Sequence, residues 1–178
     1  DAPSLVRMYE ASGAAAGEVN LPGLGTAAGF QGSGTNPETF FSYSDYLSPT
    51  RIIRLDVRTN MVSDFRTPSV PADFSPYTTE QVFYTSKDGT RVPMFITRRK
   101  GAPRDGNRPV MLYGYGGFNV TLSPSFSPAI QSWLELGGVY AVANLRGGGE
   151  YGEEWHQAGT RLKKQNVFHD FIAPAEFL

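Results

Sequence analysis

The apolar segment Pro109-Val-Met-Leu112 runs straight into Tyr113-Gly-Tyr-Gly-Gly-Phe-Asn119, and this junction constrains the fold more than any other feature of the chain. A strand that ends in a glycine-rich turn carrying two tyrosines and a phenylalanine makes a poor core. It serves well to hold a phenol and an aromatic ring at the C-terminal edge of a sheet, where open α/β folds bind substrates. The glycines are expected to form the turn that lets both rings reach that edge.

Composition excludes several classes. The chain has 178 residues, no cysteine and a formal net charge of -1. This length suits one domain or two small ones. Near-zero charge argues against a nucleic-acid partner, which needs clustered Lys and Arg. Without cysteine there are no disulfides or thiolate metal sites. No apolar run approaches the roughly 20 residues of a membrane helix. Asp1-Ala-Pro-Ser4 lacks the basic and apolar regions of a signal peptide. A start without Met, and a stop at Leu178 inside a helical pattern, suggest a piece of something larger.

The first seventy residues read as β structure. A Gly- and Ala-rich stretch over residues 13–34 precedes the strand candidates Thr39-Phe-Phe-Ser-Tyr-Ser44 and Arg51-Ile-Ile-Arg-Leu-Asp-Val57, with a turn at Ser48-Pro-Thr50. Such strands suit a sandwich or one to two propeller blades. Residues 66–77, with Pro68, Pro71 and Pro76, mark the boundary. A hairpin follows, turning at Asp88-Gly89 as a type I′ pair, with Pro93 pointing to an edge strand. The pattern then becomes α/β. A short strand over 110–113 is followed by a helix over 128–136 stopped by Gly137-Gly138, a strand over 139–143 apolar on both faces, and a short helix over 153–159. Val167, Phe168, Phe171, Ile172 and Ala175 form the apolar face of a last helix, which Pro174 should break or kink unless it lies in a distorted last turn.

The candidate chemistry is uneven. The 113–119 run reads either as a turn packing its aromatics on a neighbour or as an oxyanion loop. In α/β-hydrolases one oxyanion donor comes from the loop after the third strand, and a tyrosine hydroxyl can replace a backbone N–H. Gly147-Gly-Gly-Glu-Tyr-Gly152 matches a dinucleotide phosphate loop by letters. Asp170 has roughly the spacing of its acidic partner, but sits on a helix, and Glu150 would repel a pyrophosphate. A surface loop with permissive φ/ψ is the better reading. His156 and His169, the only histidines, read as structural or solvated, with His169 and Asp170 on the polar side of their helix. Ser33, between glycines at the wrong spacing, is a loop serine, and no serine fits a G-x-S-x-G elbow. Asn119-Val-Thr121 is a glycosylation sequon by letters only. No metal or cofactor motif is evident.

Taken together, Lys87-Asp-Gly-Thr-Arg-Val-Pro-Met-Phe-Ile96, Leu112-Tyr-Gly-Tyr-Gly-Gly-Phe-Asn119, Ala141-Val-Ala-Asn-Leu-Arg-Gly-Gly-Gly-Glu-Tyr-Gly152 and Lys164-Gln-Asn166 resemble the prolyl oligopeptidase family. Leu21-Pro-Gly-Leu-Gly25 and Ser48-Pro-Thr50 resemble its last propeller blades. The resemblance implies the end of a β-propeller over residues 1–72 and the N-terminal part of an α/β-hydrolase sheet over 73–178. It implies a serine peptidase that cleaves short peptides after proline, without a cofactor. Tyr115 matches the tyrosine that helps form the oxyanion hole, and Phe118 a wall of the proline pocket. Gly117-Phe118-Asn119 favours this group over a sister group that cleaves after basic residues. The triad serine, aspartate and histidine are expected outside this chain, which alone should be inactive. Short proline-containing peptides are the expected partners, with no nucleic acid or membrane, and the full-length enzyme is expected to be a monomer. The expected compartment is the cytoplasm, or the periplasm if a leader was removed. A β-rich interaction module centred on residues 1–70, or a dinucleotide domain on the 147–152 loop, are the other readings.

Overall fold

The computed structural model describes residues 3–178, which divide into two compact units. One unit comprises Pro3–Phe74 with Ser123–Ser127, the other Ser75–Leu122 with Pro128–Leu178.

The first unit is all β. Strands β3 (Thr26–Gln31), β4 (Glu38–Ser44), β5 (Arg51–Asp56) and β6 (Met61–Arg66) form an antiparallel meander in that order, beside the ribbon of β1 (Arg7–Tyr9) and β2 (Ala15–Glu18). Val19, Phe41, Tyr43, Ile53 and Leu55 form its core. Phe41 and Tyr43 alternate along β4, and Ile53 and Leu55 along β5, so each strand buries one face. Gly25 lies against the Tyr43 ring, and a Cβ there would meet Tyr43 Oη at 2.5 Å.

In the second unit β7 (Tyr77–Thr85), β8 (Arg91–Arg99), β9 (Val110–Tyr115) and β10 (Val139–Asn144) form a sheet in the order β7-β8-β10-β9. Only β9 and β10 are parallel. Val92, Met94, Ile96, Ala141, Ala143 and Leu145 pack with Tyr84 and Val167 as its core. Helix α1 (Pro128–Glu135) ends in a Schellman motif: Gly137 at φ 90° and Gly138 return N–H bonds to Leu134 and Trp133. Trp133 Nε1 also donates to the Val139 carbonyl at 2.8 Å, fixing the entry to β10. Helix α2 (Glu153–Gln157), a 3-10 turn (Arg161–Lys163) and helix α3 (Gln165–Phe177) follow.

Four expectations are corrected here. β8 lies between β7 and β10 and is no edge strand; Pro93 falls just past Met94, the last residue that pairs with β10, and so is tolerated. The hairpin turn is not type I′. Gly89 alone takes positive φ, and its N–H donates to the Ser86 carbonyl, which leaves Asp88 free to aim inward. Helix α3 continues through Pro174 to Phe177. Its buried residues are Val167, Asp170 and Pro174, while Phe168 (52 %) and Ile172 (56 %) are exposed. Of the expected stripe Val167 is buried, and the charged Asp170 faces the core beside it.

Candidate functional site

Parallel pairing sets Tyr115 opposite Asn144, so the loops after β9 and β10 leave the sheet side by side at its C-terminal edge. The glycines serve close approach there rather than turn formation. A Cβ on Gly114 would meet the Phe171 ring at 2.9 Å, and one on Gly116 would meet Val167 Cγ1 at 2.6 Å and Leu145 Cβ at 2.9 Å. The turn itself falls on Phe118 (φ 52°) and Asn119 (φ 57°), closed by Val120 N–H donating to the Gly117 carbonyl at 3.1 Å. Two successive non-glycine residues in the left-handed region cost about 1 kcal/mol or more each. They persist because neighbours hold the loop. Asn119 N–H donates to the Gly147 carbonyl at 3.2 Å. The same carbonyl lies 2.8 Å from His156 Nδ1. Lys164 Nζ donates to the Gly116 carbonyl at 2.5 Å.

Beneath the loops lies an ion network. Asp170 is fully buried and Arg146 nearly so. Arg146 Nε donates to Asp170 Oδ2 at 2.9 Å and Nη2 to Oδ1 at 2.6 Å, the bidentate fork that carboxylates accept best. Ser86 Oγ adds a bond to Oδ1 at 2.6 Å, and Arg146 N–H one to Oδ2 at 3.1 Å. The other side of the guanidinium reaches Asp88, Nη1 to Oδ2 at 2.5 Å. That hydrogen bond holds the Asp88 carboxyl well below the usual carboxylate range, and the two carboxylates push the Arg146 guanidinium up. The network ties the β7–β8 hairpin, the loop after β10 and α3 into one frame. The sequence pattern puts Asp170 on the polar side of its helix, and no spacing rule links it to a partner 24 residues away. The only usable signal was one charge inside an apolar helical pattern.

Residues 147–152 are not the surface loop expected. Gly147, Gly148 and Glu150 are buried. Glu150 Oε1 accepts from Leu122 N–H at 3.0 Å and Asn144 Nδ2 at 3.1 Å, pinning the segment after the Tyr115 loop. A Cβ on Gly148 would meet the Val120 carbonyl at 2.8 Å, and one on Gly149 the Asn119 carbonyl at 2.7 Å. Carbonyl oxygens and a carboxylate crowd the place where a dinucleotide phosphate would have to sit, and Asp170 is committed to Arg146. That chemistry does not suit a pyrophosphate.

Tyr115 (38 %) and Phe118 (87 %) are exposed on the same loop. Among the described residues the Phe118 ring, on a strained turn, adds little to packing. His156 Nδ1 lies within reach of both glycine loops, 3.1 Å from Asn119 N and 2.8 Å from the Gly147 carbonyl, and its tautomer selects which it bonds. His169 lies on α3 within 3.3 Å of Gln165 and is not brought to Tyr115 by any hydrogen bond. Ser33 pairs locally with Thr35 in the first unit. Among the described residues no group of three or more His, Asp or Glu is placed to hold a metal ion, and no helix is long and apolar enough to cross a membrane.

The family profile described as prolyl oligopeptidase family matches residues 124–178. The chain is 47 % identical over 178 residues to a prolyl endopeptidase of Elizabethkingia miricola, covering all of this chain and 25 % of that protein. It is 37 % identical over 178 residues to a prolyl endopeptidase of Dictyostelium discoideum, covering 98 % of this chain and 23 % of that one. A solved prolyl endopeptidase, studied for inter-domain dynamics in catalysis and specificity, superposes with TM-score 0.90 at 49 % identity, over all of this chain and 26 % of its own. Prolyl oligopeptidase B of Galerina marginata, bound to a 35-residue hydrolysis and macrocyclization substrate, superposes with TM-score 0.89 at 36 % identity, over 99 % of this chain and 25 % of its own. By sequence and by structure the chain is similar along its whole length to members of the prolyl oligopeptidase family, and it spans about a quarter of the length of the relatives it matches.

Proposed function

We propose that residues 73–178 form the start of an α/β-hydrolase peptidase domain and residues 1–72 the end of a β-propeller, and that the protein carrying them cleaves short peptides on the carboxyl side of proline. The observation that supports this best is the exposed Tyr115–Phe118 loop, held in a strained turn at the C-terminal edge of a parallel strand pair. In this reading a serine outside the chain attacks the carbonyl after proline, with histidine as base and aspartate orienting it. As the carbonyl oxygen gains charge, the Tyr115 hydroxyl donates to it. Such a donor is worth roughly 3–4 kcal/mol in the transition state. The flat proline ring packs on the Phe118 face, a contact aromatic rings make well. The four-stranded meander β3–β6 fits one propeller blade in strand number and order.

The test is a serine-directed fluorophosphonate probe with a proline-containing peptide substrate. The full-length protein should label and cleave, the 178-residue chain should do neither, and Tyr115→Phe in the full-length protein should lower kcat about 100- to 1,000-fold. Covalent labelling of the 178-residue chain, or full kcat in the Tyr115→Phe protein, would overturn the reading.

A further inference from the structure

We propose that Lys164 is a positioning residue for the Tyr115–Phe118 loop, fixing Gly116 through its carbonyl and setting a positive charge beside the Tyr115 phenol; this rests on the acyl-transfer reading above. Gly116 is the buried hinge of the loop. Its Cα lies too close to Arg146, Val167 and Leu145 to admit a side chain, and its carbonyl is held by Lys164 Nζ at 2.5 Å. The point where a side chain on Gly117 would begin lies 3.5 Å from Tyr115 Oη and 3.8 Å from Lys164 Nζ. Phenol and ammonium therefore share one side of the loop.

The lysine is delivered from a rigid base. It immediately precedes α3, and Val167 N–H donates to the Lys164 carbonyl at 3.1 Å. Asn166 Nδ2 ties the same turn to the Ala158 carbonyl at 2.9 Å, and Arg146 grips Asp170 one turn further on. A neutral donor would satisfy the Gly116 carbonyl equally well. What an ammonium adds is a fixed charge near the place where the scissile oxygen becomes anionic, and such a charge favours the transition state over the ground state.

The experiment compares Lys164→Met, Lys164→Gln and Lys164→Arg in the full-length protein, with steady-state cleavage of a proline peptide and the rate of fluorophosphonate labelling. Lys164→Met should lose about 10- to 100-fold in kcat with KM within about twofold, and label more slowly by a similar factor. Lys164→Gln, which keeps a donor without the charge, should lose about 10-fold and serves if the Met variant does not fold. Lys164→Arg should recover to within about threefold of the parent. Unchanged kcat in the Met and Gln variants, or a loss carried by KM alone, overturns the inference while the parent still cleaves. A parent that neither cleaves nor labels overturns the reading of the site, and this inference with it.

Discussion

The Tyr84 hydroxyl donates to the Asp170 carbonyl at 2.5 Å, and Pro174, four residues further along α3, has no N–H to offer that same carbonyl. A residue 86 positions away supplies the hydrogen bond that the helix lacks. Tyr84 is buried on β7, and burial first, then the Asp170 charge, push its phenol up, so it stays a protonated donor. This is why α3 runs through its proline instead of stopping before it.

Tyr84→Phe should therefore destabilise the protein by about 1–3 kcal/mol, the effect of a buried acceptor left without a donor. Pro174→Ala restores an N–H at the right place. In a double-mutant cycle by urea unfolding, the Tyr84→Phe loss should shrink by about 1 kcal/mol in the Pro174→Ala background. Additive losses would show that the two residues are not coupled.

The Arg146 network predicts an acid limb. Asp88 has a folded pKa depressed mainly by the Arg146 hydrogen bond, below an ordinary value of 3.8. Such a group adds stability that is fully present above the ordinary value and is lost as pH falls below it. Unfolding followed from pH 5 to pH 2 should steepen below about pH 4 in the parent and flatten in Asp88→Asn. Because the Asp88 side chain is 44 % exposed, the difference should also shrink with added salt. Asp170→Ala, which leaves Arg146 without its buried partner, should cost about 3–5 kcal/mol near neutral pH.

Neighbouring glycines should respond differently. Gly116→Ala drives a methyl into Val167 and the backbone at Arg146, and should destabilise by about 3 kcal/mol. Gly117 has ordinary φ and only van der Waals neighbours at 3.5 Å and beyond, so Gly117→Ala should stay within about 0.5 kcal/mol. Thermal midpoints of the two variants check the contrast.

Phe118 separates stability from recognition. Phe118→Gly relieves a left-handed backbone and should raise stability by about 1 kcal/mol, whereas Phe118→Ala keeps the strain and should not. On the proposed function, both should raise KM for proline substrates in the full-length protein. A Phe118→Gly protein no more stable than the Ala variant would count against the strain.

Periodicity made the sheet of the second unit legible. The strands expected over 110–113 and 139–143 are the starts of β9 and β10, and helix α1 with its Gly137-Gly138 stop also follows from it. The strands β1, β2, β3 and β6 were not read. Ala15–Glu18 and Thr26–Gln31 are rich in small residues, so they carry little side-chain signal, and their pairing is supplied by neighbours. The Tyr115–Phe118 loop stood out in the sequence because glycine beside aromatics at a strand end has few structural uses. What holds it did not. Lys164 and His156 lie 48 and 37 residues from the groups they bond, and no spacing rule links them.

By itself the sequence determined local propensity: the strands and helices of the second unit, and that a phenol and a phenyl ring sit in a glycine-rich run at the end of β9. Only the tertiary structure decided which face of α3 turns inward. Asp170 turns inward with its guanidinium partner because Arg146 is itself buried, and a buried charge left unpaired costs several kcal/mol.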